Sequence, residues 1–141
     1  MNLKSLLIVA CIFFSISSCN DKEEENEEIV EAVDPLITTG LIHQWLLDSR
    51  VVNDVTDMAI ECCDYITFST DSIDDDLVGN FYANGFAYET NGTFSVNTDD
   101  SVITFSFQES EVLYYFEVNN NQLLFRYNTD SQNVDEVWLK Q

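Results

Sequence analysis

From Pro35 to the C-terminus, the apolar residues of this chain recur at every second position. Ile103, Phe105 and Phe107, for example, alternate with polar residues, and no window of the length of a helix carries the apolar stripe of an amphipathic helix. A period of two places the apolar side chains on one face of an extended strand. The alternation therefore predicts β-strands that each bury one face.

The alternation can be followed through seven or eight short strands. Residues 134–139 close the pattern, and residues 81–88, interrupted by Asn84-Gly85, supply one further extended segment or a pair of short ones. In the first strand, Gln44, Asp48 and Arg50 are expected on the face opposite the apolar residues. The residues expected to share a face within their strands are Leu41, His43, Trp45 and Leu47; Ile66 and Phe68; Phe94 and Val96; Ile103, Phe105 and Phe107; Val112, Tyr114, Phe116 and Val118; and Leu123, Phe125 and Tyr127.

Turn-forming residues separate these strands at short intervals. The predicted turns are Asn91-Gly92 and residues 98–100, 108–110, 119–121 and 129–133. A meander of so many strands has edges to protect, and closure into a barrel removes them. The predicted fold class is all-β, an antiparallel meander of about eight strands that closes into a small barrel over residues 35–141.

The N-terminal residues 1–18 have the pattern of a secretory signal peptide. Lys4 precedes a short apolar run at residues 6–14, and small residues follow it. The alternative is a transmembrane anchor, but the run is well short of the ~20 apolar residues that cross a bilayer. We therefore expect residues 1–18 to be removed on export.

The end of this segment, Ile16-Ser17-Ser18-Cys19, resembles the lipobox of bacterial lipoproteins. That resemblance implies a diacylglyceryl group on the sulfur of Cys19, cleavage before Cys19 and acylation of the new amino terminus. More than one acyl chain is what stable membrane anchoring requires. The alternative is an ordinary secreted protein in which Cys19 forms a disulfide.

Residues 19–34 form an acidic segment that is expected to be a disordered, self-repelling tether. Its start, with Lys22 among acidic residues, is similar to the export signal of surface lipoproteins of the Bacteroidota. That similarity implies a location on the outer face of the outer membrane. The alternative is a solvated spacer on a lipoprotein that faces the periplasm.

The charge balance excludes whole classes of partner. The chain holds 26 acidic and 5 basic residues, a formal net charge of −21, and residues 35–141 alone hold eighteen acidic and three basic residues. Such a field repels nucleic-acid phosphates and anionic lipid headgroups. We therefore expect no nucleic acid as a partner and no polybasic contact with a membrane surface.

Several strand segments match one family. They are residues 41–47, where His43 replaces a glycine two positions before Trp45; Cys62-Cys63 and the strand that follows it; residues 92–96, where Phe94 replaces the usual tryptophan; and residues 101–105 and 121–125. They resemble the lipocalin-like domains of Bacteroidota lipoproteins over most of residues 38–141. The resemblance implies a lipocalin-like barrel, and because its motifs are structural it implies no chemistry.

Cys62 and Cys63 could form a disulfide in an exported protein. Adjacent cysteines, however, point to opposite faces of a strand, and a bridge between them needs a strained turn. The preferred interpretation is one buried thiol and one outward or bulged thiol. A zinc site would need further ligands, and His43 is the chain's one histidine.

The remaining polar motifs predict neither an enzyme nor a cofactor or metal. His43 is expected to be a packed or rim residue, since no second histidine could complete a relay and no serine has the glycine pattern of a nucleophile elbow. Residues 71–76 form the densest acidic cluster of the domain and could hold Ca²⁺. They lack the features of an EF-hand loop, and a solvated acidic loop is preferred.

The barrel interior is the last candidate site. An eight-stranded barrel is just wide enough to be filled by its own side chains or to hold one small ligand. Of the two interpretations, a filled or nearly filled core is slightly preferred to a cavity. The aromatic residues that could line a cavity or fill it are Trp45, Phe68, Phe94, Phe105, Phe107, Tyr114, Phe116 and Phe125.

Two functions remain open on this basis. One is a surface-anchored protein that binds a small apolar or amphipathic ligand at the barrel mouth through Trp45, Phe68, Phe94, Phe105, Tyr114 and Phe125. The other is a non-enzymatic interaction or structural module of the envelope that docks on another surface protein.

Overall fold

The computed structural model describes residues 33–57, 64–73 and 75–141. These residues form one four-residue helix and nine strands: α1 (Pro35–Thr38), β1 (Gln44–Val52), β2 (Val55–Thr56), β3 (Tyr65–Thr70), β4 (Val78–Asn84), β5 (Glu89–Asn97), β6 (Val102–Phe107), β7 (Ser110–Asn119), β8 (Gln122–Asn128) and β9 (Asn133–Lys140).

All strand pairs are antiparallel, and the sheet closes on itself. From β3 to β9 each strand pairs with its neighbour in the chain, β1 pairs with β3, and β1 also pairs with β9. Eight strands therefore form the barrel wall. The two-residue strand β2 pairs only with the end of β1, outside the closed ring. The predicted fold class, an all-β meander of about eight strands closed into a small barrel, is confirmed.

Alternation of the strand residues builds the barrel core. Ile66 and Phe68 on β3, and Phe94 and Val96 on β5, are buried as predicted. On β7 the neighbouring residues Leu113 and Tyr115 are exposed on the outer face. Because a strand places consecutive side chains on opposite faces, the apolar positions of the sequence become a continuous interior.

The two ends of the barrel differ. At the lower end lie α1 and the connections β3–β4, β5–β6 and β7–β8; at the upper end lie the turns β4–β5, β6–β7 and β8–β9. At the lower end Leu36 of α1 and Leu41 are fully buried. The Nε1 atom of Trp45 donates a hydrogen bond to the Leu41 carbonyl at 2.9 Å, so the segment before β1 is packed onto the lower end.

Helix α1 is too short to leave a periodic signal in the sequence. It begins at Pro35, which suits the first turn of a helix because its missing N–H is not needed there. The Asp34 carboxylate caps it by accepting a hydrogen bond from the Leu36 N–H at 2.7 Å. Local capping and the burial of Leu36 thus produce an element that alternation does not predict.

The predicted turn at Asn91-Gly92 is wrong, because both residues lie inside β5. The turn falls at residues 85–88 instead, where the Gly85 N–H donates to the Tyr88 carbonyl at 2.9 Å. A Cβ atom at Gly92 would lie 2.1 Å from the Ser106 carbonyl oxygen of β6. The glycine is therefore needed for close strand approach rather than for a turn.

A β-bulge interrupts β1 at Asp48. Leu47 pairs with Trp138 of β9, yet Ser49 already pairs with Val137, so Asp48 is an extra residue on β1. An extra residue reverses the inside–outside alternation beyond it. The prediction that Arg50 lies on the outer face with Gln44 and Asp48 is therefore wrong, because the bulge brings Arg50 onto the inner face with Trp45 and Leu47.

Several predicted features lie outside the described residues. They are the signal peptide at residues 1–18, Cys19, the tether up to residue 32, Cys62, Cys63 and Asp74. Among the described residues, no helix is both long and apolar enough to cross a membrane.

Candidate ligand-binding site

The upper half of the barrel contains a cavity of about 280 Å³. Strands β1, β3 to β9 and the turn before β5 all contribute to its wall. Most of the wall is apolar, and the polar lining residues are few. The aromatic residues that line it are Phe81, Tyr88, Phe105, Phe107, Tyr114, Phe125, Tyr127 and Trp138.

The predicted ligand-contacting residues divide between two levels of the barrel. Phe105, Tyr114 and Phe125 line the cavity, as does Phe107. Trp45, Phe68 and Phe94 are buried in the core and are not part of the cavity wall.

The lower half of the interior is filled because its rings pack against one another. The rings of Phe68 and Phe94 meet edge to face with centroids 5.0 Å apart. Phe68 also approaches Phe105 and Phe125 at 6.0 and 6.5 Å. Phe68 and Phe94 are almost fully buried and do not belong to the cavity lining, so their side chains occupy this level of the interior. The expectation of a filled core thus applies to the lower half of the barrel, and the expectation of a cavity applies to the upper half.

A polar cluster centred on Glu136 stands in the otherwise apolar cavity wall. Glu136 is 4% exposed. Its Oε1 atom accepts hydrogen bonds from Arg50 Nε at 2.7 Å and from the Tyr127 hydroxyl at 3.0 Å. Its Oε2 atom accepts one from Trp138 Nε1 at 3.1 Å. Both carboxylate oxygens are therefore satisfied, which is what a buried acid requires.

Stacking holds the Tyr127 hydroxyl in place for this contact. The rings of Tyr114 and Tyr127 are parallel within 9°, with centroids 4.0 Å apart. Tyr114 also packs edge to face against Phe105 and Phe125. The polar cluster is thus supported by a wall of aromatic rings that restrict its movement.

Electrostatics keep the Arg50 guanidinium charged and Tyr114 and Tyr127 neutral near neutral pH. Burial alone would lower the pKa of the Arg50 guanidinium, but the charge and hydrogen bond of Glu136 outweigh it and hold that pKa above its ordinary value. Burial, followed by the nearby Glu136 charge, raises the pKa of Tyr114 to about 12 and also raises the pKa of Tyr127. The two tyrosines therefore remain neutral.

Two polar groups of the wall have donors to spare. Among the described residues, the side chain of Arg50 makes a hydrogen bond only through Nε, and it is 28% exposed. The Oγ1 atom of Thr90 on β5 is buried, and no described residue supplies it with a hydrogen-bond partner. Arg50 and Thr90 both line the cavity. They are the groups that a bound molecule could reach.

Sequence reasoning missed Arg50 and Glu136, for different reasons. Glu136 shares its face of β9 with Val134 and Trp138, so an acid on an apolar face was visible in the alternation. Arg50 could not be found in this way because the bulge at Asp48 reverses the alternation before it.

His43 lies just before β1 and is exposed rather than on the inner face. Its ring meets the Trp45 ring edge to face, with centroids 6.1 Å apart. Burial and the nearby Lys140 charge lower its pKa. It is a rim residue at the lower end, remote in position from the cavity at the upper end.

The described residues of the acidic segment, 71–73, 75 and 76, also lie at the lower end, between β3 and β4. The Asp71 carboxylate accepts from the Ile73 N–H at 2.8 Å, and the Asp76 carboxylate accepts from the Val78 N–H at 3.0 Å. These acids cap the backbone of their own loop. In the part of the chain that the structure describes, no group of three or more His, Cys, Asp or Glu residues could hold a metal ion.

Comparison with known protein families gives one match. The family described as the lipocalin-like domain matches residues 41–125. The matched segment includes Arg50, Thr90, Phe105 and Tyr114, and it ends before Glu136. No curated protein and no solved structure matches the chain.

Proposed function

The chain belongs to the lipocalin-like domain family, and on that premise we propose that it binds a small apolar or amphipathic molecule in the upper half of its barrel. The observation that carries the proposal is the cavity of about 280 Å³, whose aromatic wall is interrupted by one polar cluster. A mostly apolar concavity with a few placed polar groups is the usual form of a small-molecule site.

The size of the cavity limits the ligand. Pockets for drug-sized molecules occupy roughly 300–1,000 Å³, so this cavity suits a smaller molecule. The filled lower half, with Phe68 and Phe94 in contact, prevents a long chain from extending through the barrel. A compact ligand with an apolar body fits this space better than an extended acyl chain.

The proposed role is binding rather than catalysis. The chain's one histidine, His43, is exposed at the lower end, at the other end of the barrel from the cavity. The Glu136 carboxylate accepts three hydrogen bonds, from Arg50, Tyr127 and Trp138, so both of its oxygens are engaged within the wall. These features support a site that holds its ligand unchanged.

We further propose that the barrel is carried by a lipoprotein of the Bacteroidota type, anchored in the outer membrane by acyl chains on Cys19 and facing the cell surface. Support comes from the resemblance of Ile16-Ser17-Ser18-Cys19 to a lipobox and from the acidic segment that follows it. Cys19→Ala should release the protein from the membrane fraction. Continued membrane association of that variant would contradict the anchor, and protease treatment of intact cells separates a surface location from a periplasmic one.

Ligand binding can be tested with two neighbouring substitutions on β7. Val112 lines the cavity, whereas Leu113 is 55% exposed on the outer face. Val112→Phe should fill part of the cavity, and Leu113→Phe adds the same ring outside it. In native mass spectrometry, we expect a co-purified small molecule on the wild type and on the Leu113→Phe variant, and its loss from the Val112→Phe variant. Equal retention by all three proteins would overturn the proposal.

A second candidate function is an interaction module that docks on another envelope protein. The observation that favours it is the pair Leu113 and Tyr115, which are both more than half exposed on the outer face of β7. Tyr115 and Arg126 also line a depression of about 680 Å³ near Thr39 and Ser101. If crosslinking in intact cells recovers only the monomer, this alternative fails.

A further inference from the structure

We infer that the cavity selects an uncharged molecule that carries a hydrogen-bond acceptor, and that Arg50 and Thr90 are its polar contacts. This inference rests on the proposed function, because it names the chemical class of ligand for the same cavity. It follows from the charge balance of the wall and from the donors that the wall leaves unused.

The cavity wall is electrically balanced before any ligand enters. Arg50 contributes one positive charge and Glu136 contributes one negative charge, with 2.7 Å between Nε and Oε1. Among the described residues, no other charged side chain belongs to the lining, which otherwise consists of apolar residues, tyrosines, Trp138 and Thr90, although the Asp64 carboxylate acts on Arg50 and Tyr88 from outside it. A charged ligand would therefore find no unpaired opposite charge in the cavity lining.

An anion is disfavoured as a ligand because the Glu136 carboxylate already pairs with the Arg50 guanidinium through Nε. A ligand carboxylate that approached Arg50 would also approach the buried Glu136 carboxylate, and like charges in a site of low polarity repel strongly. The domain as a whole adds to this effect, since residues 35–141 hold eighteen acidic and three basic residues. The site thus differs from one in which an unpaired arginine attracts an acid.

A cation is disfavoured by the other member of the pair. The two oxygens of Glu136 already accept three hydrogen bonds, from Arg50, Tyr127 and Trp138. A ligand ammonium group could use only the remaining acceptor position of Oε2, where it would share that oxygen with the Trp138 donor and lie beside the Arg50 charge. A neutral ligand avoids both penalties.

The spare donors specify the polar group of the neutral ligand. Among the described residues, the two Nη groups of Arg50 have no hydrogen-bond partner, and each is a donor without acceptor capacity. They therefore require an acceptor, such as a carbonyl oxygen. The buried Thr90 Oγ1, which no described residue satisfies, can donate or accept. Two strands, β3 and β4, separate β1 from β5, so a compact molecule between them could reach both groups.

The test compares four probes of similar size: benzamide, benzoate, benzylammonium and toluene. Binding to the purified wild-type barrel is followed by chemical-shift changes at the amides of the cavity lining, with tryptophan fluorescence, to which Trp138 in the lining and Trp45 in the core both contribute, as a second signal. We expect benzamide to bind at least about tenfold more tightly than either ion, and more tightly than toluene, as one hydrogen bond from a charged donor implies. Benzoate or benzylammonium binding as tightly as benzamide would overturn the inference.

Substitutions identify the groups responsible. Arg50→Met should abolish the preference for benzamide over toluene, whereas Arg126→Met, which removes an exposed arginine from the outer face of β8, should leave it unchanged. Glu136→Gln leaves Arg50 without its counter-charge and should shift the preference toward benzoate. Thr90→Val, which keeps the side-chain shape, should weaken benzamide binding and leave toluene binding as it is.

The outcomes separate this inference from the function on which it rests. If none of the four probes binds in the cavity of the wild type, the proposed binding function itself fails. If toluene binds but charge and acceptor make no difference, the binding function stands and the inference is wrong. Should Glu136→Gln not fold, the wild-type ranking and the Thr90→Val variant still decide the matter.

Discussion

The Nε atom of Arg50 lies 2.7 Å from Oε1 of Glu136, across the seam where β1 and β9 close the barrel. The two residues are 86 positions apart in the chain, and they are register partners in the sheet. A buried ion pair is sensitive to the loss of one partner, because the other charge then remains in an apolar site without compensation. The same pair thus bears on barrel closure and on the charge of the cavity.

Removing both members of the pair should cost less than the sum of the costs of removing each one alone. Arg50→Met and Glu136→Leu are each expected to lower the free energy of unfolding by about 2–4 kcal/mol, with Arg50→Met at the lower end because its side chain is 28% exposed. The double variant should be less destabilised than the sum of the two. Urea unfolding measures all three, and Arg126→Met, an exposed arginine, should change stability by no more than about 0.5 kcal/mol. Strict additivity would contradict the account of the pair.

The bulge at Asp48 predicts different outcomes for two single-residue deletions in β1. Removing Asp48 leaves Leu47 followed by Ser49 and Arg50, which restores a regular inside–outside alternation against β9. That variant should fold and keep Arg50 inside. Deleting Leu46 shifts Trp45 to the opposite face, because a slip of one residue flips a strand, and should prevent folding. Circular dichroism and thermal unfolding distinguish the two, and equal behaviour of both deletions would show that the bulge does not set the orientation of Arg50.

A substitution at Gly92 tests whether this residue lies within β5 or in a turn. An alanine there would put a Cβ atom 2.1 Å from the Ser106 carbonyl oxygen and 3.1 Å from Phe107 Cβ. We expect Gly92→Ala to destabilise the barrel by about 1–3 kcal/mol, as overpacking does. Asn91→Ala, at the neighbouring exposed position, serves as the control and should have a small effect in the same chemical denaturation assay. A neutral Gly92→Ala would fit a turn better than a strand.

Alkaline titration should reveal two tyrosines of the cavity wall, the half-buried Tyr114 and Tyr88, which is 43% exposed. Burial, then the Glu136 charge, raises the pKa of Tyr114 to about 12, and burial, then the Asp64 charge, does the same for Tyr88. Because the folded-state pKa lies above the unfolded value of about 10, the stability contribution of these groups is present below about pH 10 and is lost as the pH rises toward 12. The difference in tyrosinate absorbance between the wild type and the Tyr114→Phe variant should titrate near pH 12, the raised pKa of Tyr114 being about 12. A difference that titrates near pH ~10 would place Tyr114 in water.

Much of the barrel could be predicted because alternation is a direct consequence of strand geometry. Phe94 and Phe105 are buried, and Leu113 and Tyr115 are exposed, as their positions in the pattern require. The turn near residue 92 was predicted wrongly because glycine permits both a turn and a close strand contact, and only the position of Ser106 on the neighbouring strand decides between them.

The site was less predictable than the fold. Phe105, Tyr114 and Phe125 were identified as possible lining residues, but alternation gives a side chain's face and not its level along the barrel. For this reason Trp45, Phe68 and Phe94 were grouped with them although they belong to the filled lower half. The position of Arg50 on the inner face could not be predicted because a bulge depends on the partner strand, and here the partner strand lies far away in the chain.

The most direct test of the central claim, that the upper half of the barrel holds a small ligand, is chemical-shift mapping with toluene as the probe. The account predicts shifts at the backbone amides of Phe105, Phe107 and Val112, and little change at those of Leu41 and Val96, which are buried in the filled half and do not pair with a lining residue. Shifts confined to the outer face around Tyr115 and Arg126, or no saturable shift at the upper half, would contradict it.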